Sequence, residues 1–431
     1  MTLGKLSVNA RKDGFLLDGK PWFWFADTCW SAFTSISFED WDYYLARRAE
    51  QGVNVLQINT LPQWDRCMPD LGIWPYASED GVRFDWSASN PAYWERARAM
   101  CAAAVERGIR PALVLMWCNY VPGTWGSGLA KVLGGGDIMP REEIRAHVAR
   151  VVEQLGEFDP VYVVTGDTDF VSDEAVTYYE DALAAVCELA PNALRCMHIN
   201  RGNRTIPAQF VDRLDFYMFQ PGHNYEGQNE AWLLPQDFLA NYPKKPLVNS
   251  EPCYEQMGAS RNVYWRFSAQ DCRASAWSSV LAGAAAGVTY GAHGVWNWQT
   301  SRSTGSALGE GFDAPFRWQE CLQFPGVWDF GLIPHVLEGL GAGAGDDAAA
   351  VEPAQELLDD RREAIRCARV GEKTVVYLPR ATKVRLKVAA TRAQAFDMEN
   401  KRVAALPVNC ADGVTVVAQH PFEHDALLVV E

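Results

Sequence analysis

The first part of the chain alternates between two kinds of segment, short apolar runs rich in β-branched and aromatic residues and longer amphipathic stretches. The apolar runs lie at residues 22–27, 53–59, 110–117, 161–167, 194–200, 214–220, 246–251 and 287–296. Alternation of this kind predicts βα units around a parallel sheet, and eight cycles predict an α/β fold of the (β/α)8 TIM barrel type. A doubly wound open sheet is the alternative, although neither a GxGxxG nor a Walker loop follows the first run.

Tryptophan usage divides the chain into two predicted domains, because all seventeen tryptophans lie at or before Trp328. Residues 341–355 are small and polar and predict the junction. We expect residues 1–345 to form the barrel, preceded by a β-hairpin with Asp-Gly turns, and residues 346–431 to form a small antiparallel β-sandwich. A structural lid or a contact in a homo-oligomer is the default role for the second domain.

Charge and cysteine content restrict the ligands. The chain has 39 Lys+Arg against 54 Asp+Glu, a formal net charge of −15, and therefore no basic footprint for nucleic acid or anionic membranes. The eleven cysteines are scattered without a CxxC motif, which predicts reduced thiols. Because no apolar leader is visible either, a cytoplasmic protein with a small neutral ligand, and without cofactor or metal, is expected.

Loop lengths predict where the active site lies. The helix-to-strand connections are tight, whereas the loops after strands two, three, six, seven and eight are long and rich in Trp, Tyr, Gly and Pro. In TIM barrels such strand-to-helix loops build the active site at the C-terminal face. The residues at the predicted strand ends are Asp27, Asn59, Trp117, Asp167, Asn200, Gln220, Glu251, His293 and Trp296.

Two carboxylates among these residues suggest acid–base chemistry. Asp167 ends strand four and Glu251 ends strand seven, on opposite sides of an eight-stranded barrel. Glycoside hydrolysis needs a pair of carboxylates that flank the scissile bond, and their separation decides between retention and inversion. The alternative is structural, with Asp167 as a helix cap and Glu251 in an ion pair.

Aromatic residues near the same rim favour a carbohydrate ligand, since sugars stack their C–H faces on aromatic rings. They are Trp30, Trp64, Trp74, Trp117, Trp125, Tyr254, Trp296 and Trp298. Part of this set is expected to be ordinary core.

Other barrel chemistries fit less well, because the sequence has no HxH motif on strand one and no strand lysine for a Schiff base. The spread of His198, His223 and His293 predicts hydrogen-bonding histidines rather than a metal site.

Five segments together resemble the apiosidase-like glycoside hydrolases over residues 6–340. They are DGKPWFWFADTCW, VTGDTDF, FQPGHNYEG, LVNSEPCYE and VTYGAHGVWNW. The resemblance implies a barrel enzyme with a small β-sandwich, a retaining mechanism, Asp167 as general acid/base and Glu251 as nucleophile. Many barrels of the wider clan have Asn-Glu at the end of strand four, and here Asp169 is a second candidate for the role of Asp167. The resemblance does not establish apiose as the sugar.

The combined prediction is an exo-acting glycosidase or one specific for small glycosides or oligosaccharides. Its predicted substrate-binding residues are Asp27, Trp30, Asn59, Trp117, Asp169, Asn200, Gln220, His223, Tyr254, His293 and Trp296. Two alternatives keep the barrel: a non-catalytic carbohydrate-binding protein and a metal-dependent hydrolase or isomerase.

Overall fold

The computed structural model describes residues 3–132, 136–259, 264–301, 314–359 and 364–431. Eight parallel strands form one sheet in the order β5-β4-β3-β2-β1-β8-β7-β6. Their bounds are Trp24–Thr28 (β1), Val55–Asn59 (β2), Arg110–Trp117 (β3), Val161–Gly166 (β4), Arg195–Cys196 (β5), Tyr217–Phe219 (β6), Leu247–Asn249 (β7) and Gly287–Tyr290 (β8). All eight are buried along almost their whole length, as expected for a parallel sheet covered on both faces.

The barrel is nearly closed. Every neighbouring pair is joined by a parallel ladder except β5 and β6, whose ladder is absent from the described residues. Asp215 bridges this gap, because its backbone N–H donates to the carbonyl of Arg195 over 2.9 Å and its Oδ2 accepts from the Arg195 backbone N–H over 2.8 Å. The predicted TIM barrel is therefore confirmed.

One main helix follows each strand, and caps set the ends of several of them. The main helices are Phe38–Glu50 (α1), Pro91–Glu106 (α2), Ile144–Leu155 (α3), Asp173–Leu189 (α4), Ala208–Val211 (α5), Glu230–Asn241 (α6), Ala269–Leu281 (α7) and Gly326–Leu340 (α8). Shorter helices precede the main helix after β1 (Ala32–Ser35), β3 (Trp125–Val132) and β8 (Trp318–Cys321). Ser268 and Asp271 form a capping box at the start of α7, and Gly341 ends α8 at a φ of 85°. Among the described residues, no helix has both the length and the apolar character needed to cross a membrane.

A three-stranded antiparallel sheet precedes the barrel and covers its N-terminal side. Its strands are Leu6–Val8, Phe15–Leu17 and Lys20–Trp22. Asp18 and Gly19 both have positive φ, 50° and 77°, as the tight turn between the second and third strands requires. Phe15 packs edge-on against Phe216, with ring centroids 5.1 Å apart, and so ties this sheet to the barrel.

The C-terminal region forms two antiparallel sheets, which confirms the predicted β-sandwich. Its strands are Val351–Pro353 (β9), Arg366–Val370 (β10), Lys373–Leu378 (β11), Val384–Leu386 (β12), Ala393–Asp397 (β13), Val403–Leu406 (β14), Val408–Ala411 (β15), Val414–Val417 (β16) and Ala426–Val430 (β17). The six-stranded sheet has the order β9-β10-β11-β17-β13-β14, and the three-stranded sheet has the order β12-β16-β15.

A buried charge cluster joins this domain to the barrel. Arg273 of α7 forms two hydrogen bonds, of 2.8 and 2.5 Å, with the carboxylate of Asp425. Its Nη1 also lies 2.5 Å from Asp329 of α8, which in turn accepts from Lys401 over 2.6 Å. Such pairs fix the position of the C-terminal domain relative to the barrel, since removing one partner leaves the other charge buried and uncompensated.

The last four predicted strands are shorter than the sequence pattern suggests, and the difference is largest at the eighth and the fifth. The eighth ends at Tyr290, after which the chain turns and Gly294 adopts a φ of 140°, so His293 and Trp296 lie in the loop rather than on the strand. Strand β5 has only two residues, followed by an isolated bridge between Thr168 and Ile199. In both places the apolar run continues into a buried loop. The hydrophobic periodicity and the composition of such a loop are the same as those of a buried strand, so the sequence pattern does not separate them.

Candidate active site

A cavity of about 110 Å³ opens at the C-terminal end of the barrel strands. Loops after most of the strands contribute to it, so residues far apart in sequence meet there. The cavity is lined by Trp30, Gln63, Trp64, Asp65, Trp117, Trp125, Asp167, His223, Glu251, Tyr254, Met257, His293 and Trp296. The lengths of the strand-to-helix loops predicted a site at this end of the barrel.

Glu251, two residues beyond the end of β7, lies between two imidazole rings. Nε2 of His223 is 2.8 Å from its Oε1, and Nε2 of His198 is 3.1 Å from its Oε2. Nδ1 of His223 accepts a hydrogen bond from the backbone N–H of Tyr254, at 3.2 Å. Because Nδ1 is the acceptor, the ring proton of a neutral His223 resides on Nε2 and is donated to Glu251.

These contacts determine the charge of Glu251, whose side chain is 11% exposed. Burial acts to raise the pKa of its carboxyl, but the close contacts with His198 and His223 outweigh burial and lower the pKa to about 2. Glu251 is therefore ionised at neutral pH. An ionised carboxylate with oriented donors has the properties of a nucleophile or an electrostatic stabiliser, not of a proton donor.

Asp167 is the first residue after β4 and has a left-handed φ of 54°. Its backbone carbonyl accepts from the indole N–H of Trp125 over 2.7 Å, and its Oδ1 accepts from Nε2 of Gln220 over 2.6 Å. The preceding residue, Gly166, lies against the ring of Trp117, where a Cβ atom would be 2.2 Å from the nearest ring carbon. The absence of a side chain at Gly166 thus allows the indole to lie beside Asp167.

Gln220 and His198 connect the two carboxylates. Nε2 of Gln220, which donates to Asp167, is also 3.3 Å from Nε2 of His198, and that nitrogen is 3.1 Å from Glu251. The second ring nitrogen of His198 lies 2.9 Å from the hydroxyl of Ser250. Asp167 and Glu251 are thus linked through two intervening side chains across the barrel mouth.

Aromatic rings form one wall beside Glu251. The rings of Trp30 and Trp117 are edge-on with centroids 5.0 Å apart, and the indole N–H of Trp30 donates to the hydroxyl of Tyr254 over 3.2 Å. The Tyr254 ring lies 4.0 Å from that of His223. Burial, and then the charge of Glu251, raise the pKa of the Tyr254 phenol well above its ordinary value, so it remains a hydroxyl.

Three nitrogen atoms of residues that line the cavity are buried without a hydrogen-bond partner. They are Nε1 of Trp117, Nε1 of Trp296 and Nδ1 of His293. Burial lowers the pKa of His293 to about 3, so its ring is neutral at physiological pH. Buried polar atoms are rarely left unpaired, because each costs about 1–3 kcal/mol. A ligand rich in hydroxyl groups would supply the missing partners.

Eight of the thirteen residues predicted for the site line the cavity: Trp30, Trp117, Asp167, His223, Glu251, Tyr254, His293 and Trp296. The other five do not: Asp27, Asn59, Asp169, Asn200 and Gln220. Gln220 instead holds Asp167 from behind, and Asn59 donates to Gln63, which does line the cavity. Asp169 and Asn200 are half-buried beside the end of β4, where the Asn200 backbone N–H donates to the Thr168 carbonyl over 2.8 Å.

Asp27 is completely buried and points away from the cavity. Its Oδ2 lies 2.6 Å from Nε of Arg48 and 2.6 Å from the hydroxyl of Tyr44, both on α1. Successive side chains of a strand point to opposite faces, and at Asp27 this alternation directs the carboxylate toward the helix layer. Asp27 and Arg48 therefore form a structural ion pair between β1 and α1.

Sequence reasoning missed several residues of the site. Gln63, Asp65 and Met257 line the cavity without having been predicted, and His198 contacts Glu251 without lining it. The length of the loop after β2 was the available signal for Gln63 and Asp65, but it does not say which residues turn inward. Although three histidines lie near the barrel mouth, the described residues contain no group of three or more His, Cys, Asp or Glu side chains placed to hold a metal ion.

Comparison with known proteins identifies the family of the chain and supports its fold. The model of the family described as "Apiosidase-like, catalytic domain" matches residues 12–342. A solved structure titled "Glycoside hydrolase" superposes with a TM-score of 0.77 at 21% identity, covering 99% of this chain and 96% of its own. A glycoside hydrolase of family 5 from Bacteroides vulgatus superposes with a TM-score of 0.79 at 20% identity, covering 99% of this chain and 92% of its own. No curated protein sequence matches the chain.

Proposed function

Because the chain belongs to the apiosidase-like family of glycoside hydrolases, it is a glycosidase, and we propose that it is a retaining one with Asp167 as general acid/base and Glu251 as nucleophile. The observation that carries the proposal is the environment of Glu251. Two imidazoles keep this buried carboxylate ionised, and Asp167 lines the same cavity.

In this mechanism Asp167 protonates the glycosidic oxygen as the C–O bond breaks, and an oxygen of Glu251 attacks the anomeric carbon to give a glycosyl-enzyme. Asp167, now ionised, then takes a proton from water, which attacks the same carbon and releases Glu251. Gln220 orients Asp167 through its 2.6 Å hydrogen bond, and His223 orients Glu251. Between Asp167 and Asp169, the cavity lining supports Asp167.

The cavity also supports a restricted class of sugar. Its volume of about 110 Å³ suits one terminal sugar unit better than a long stretch of polysaccharide. Asp65, Asp167 and Glu251 are acidic, and no lysine or arginine is among the described residues that line it. A uronic acid or a phosphorylated sugar would therefore meet like charge, so we propose an uncharged glycone at the end of a small glycoside or oligosaccharide.

The test is hydrolysis of aryl and natural glycosides of neutral pentoses and hexoses by the wild type and by Glu251→Gln, Asp167→Asn and Asp169→Asn. We expect Glu251→Gln and Asp167→Asn to lose at least ~10³-fold in kcat, and Asp169→Asn to change little. NMR of the first-formed product is expected to show the anomer of the substrate. Near wild-type turnover by Glu251→Gln, or release of the opposite anomer, would contradict the proposal.

A further inference from the structure

A second cavity, of about 330 Å³, lies between the barrel and the C-terminal domain. The barrel contributes Tyr225, Trp232 and Trp265, and the C-terminal domain contributes Tyr377 and Pro379. We call it the interdomain cleft. It is separate from the cavity that holds Glu251, since the two share no lining residue among those described.

Two large aromatic side chains stand exposed on the wall of the interdomain cleft. Tyr225 is 55% exposed and Trp265 is 44% exposed. Their rings meet edge-on, with centroids 6.1 Å apart and an interplanar angle of 67°. Their exposed ring surface is available to a ligand, and aromatic surfaces of this kind are typical of sites for ligands with apolar C–H faces.

Ser275 supplies an independent indication of a ligand. It lies on α7, lines the cleft and is only 5% exposed, yet its hydroxyl has no hydrogen-bond partner. Leaving a buried hydroxyl unpaired is costly. Because Ser275 lines the cleft, rotation of its side chain would bring the hydroxyl to a ligand bound there. An aromatic platform together with a buried hydroxyl is suited to a sugar, which presents apolar faces and hydroxyl edges.

The same two loops build the cleft and the active-site cavity. The loop after β6 places His223 in the cavity and Tyr225 in the cleft, and the loop after β7 does the same with Met257 and Trp265. The loops are joined, because the backbone N–H of Tyr225 donates to the carbonyl of Ala259. Asp271 is the charged residue among the described residues that line the cleft, so an anionic sugar would meet like charge there.

We propose that the interdomain cleft is a second carbohydrate-binding site, which holds neutral sugar units of the glycan at a distance from the bond that is cleaved. The proposal rests on the glycosidase function proposed above. It gives the C-terminal domain a definite role, since Tyr377 and Pro379 of that domain help to line the cleft.

The test measures binding and hydrolysis separately. Hexasaccharides from mannan, xylan, β-glucan, galactan and arabinan are titrated calorimetrically into Glu251→Gln, alone and combined with Trp265→Ala, Tyr225→Ala or Trp328→Ala. Trp328 is the matched control, because it too is 44% exposed but lies on α8 outside the cleft. We expect Trp265→Ala and Tyr225→Ala each to weaken binding of the best ligand by ~10-fold, and Trp328→Ala to leave it unchanged.

In the otherwise wild-type enzyme, Trp265→Ala is expected to hydrolyse a small aryl glycoside at a rate within about twofold of the wild type. Binding that is equally sensitive to Trp265→Ala and Trp328→Ala, or no binding of any hexasaccharide, would overturn the second site. Failure of the wild type to cleave any glycoside, combined with binding that depends on Trp265, would instead overturn the glycosidase mechanism and leave the cleft supported.

Discussion

Replacing His223 by alanine removes the imidazole that hydrogen-bonds Oε1 of Glu251 and helps to keep it ionised. In the wild type the pKa of Glu251 is lowered from 4.5 to about 2. At 1.36 kcal/mol per pKa unit, this corresponds to about 3 kcal/mol in favour of the carboxylate. A hydrogen bond to a charged group contributes about 1.5–3 kcal/mol, so the loss of His223 is expected to raise the pKa of Glu251 by about 1–2 units.

The assay is the pH dependence of kcat/KM on a small aryl glycoside. The wild-type rate is expected to stay independent of Glu251 ionisation down to near pH 2, while His223→Ala gains an acidic limb at about pH 3–4. His223→Gln keeps an N–H donor, so its acidic limb is expected at a pH between those of the wild type and His223→Ala. His335→Ala, at an exposed position on α8, is the control and is expected to follow the wild type.

The linked effect on stability has a definite sign. Because the folded-state pKa of Glu251 lies below the unfolded value, its contribution to the free energy of unfolding is present above pH 4.5 and is lost as the pH falls toward 2. In His223→Ala the folded-state pKa of Glu251 lies nearer the unfolded value, so this stabilisation is smaller and is lost over a narrower pH range. If the acidic limb of His223→Ala coincides with that of the wild type, His223 does not set the charge of Glu251, and the reasoning is refuted.

Two further predictions concern stability. Arg273→Met leaves Asp425 buried without its partner and is expected to lower the free energy of unfolding by about 3–5 kcal/mol in urea titration, whereas Arg392→Met at an exposed pair should change it by less than about 1 kcal/mol. An unchanged Arg273→Met midpoint would mean that the cluster does not join the domains. Burial raises the pKa of Glu255 to about 7, so the wild type loses stability as the pH rises from 4.5 to 7, and Glu255→Gln should flatten this part of the Tm–pH curve. An unaltered slope would assign the pH dependence to other groups.

The barrel and its functional face could be predicted from the sequence because they depend on local pattern. Apolar runs that alternate with amphipathic helices bury both faces of a parallel sheet, and long loops after the strands identify the end where a site forms. Glu251 and Asp167 follow from the same reasoning, since each comes directly after an apolar run. The two-residue β5 and the early end of β8 did not follow, because buried loops there are as apolar as strands.

Only the tertiary structure decided what each polar strand-end residue does. Asp27 and Glu251 occupy similar places in the sequence pattern, yet Asp27 pairs with Arg48 in the helix layer while Glu251 faces two histidines in the cavity. Strand alternation, barrel twist and the course of the loops set these directions together, and they act between segments far apart in the chain. The sequence by itself determined the barrel, and the face of the barrel at which polar and aromatic residues gather. Which of them meet there depends on three-dimensional packing that no local pattern records.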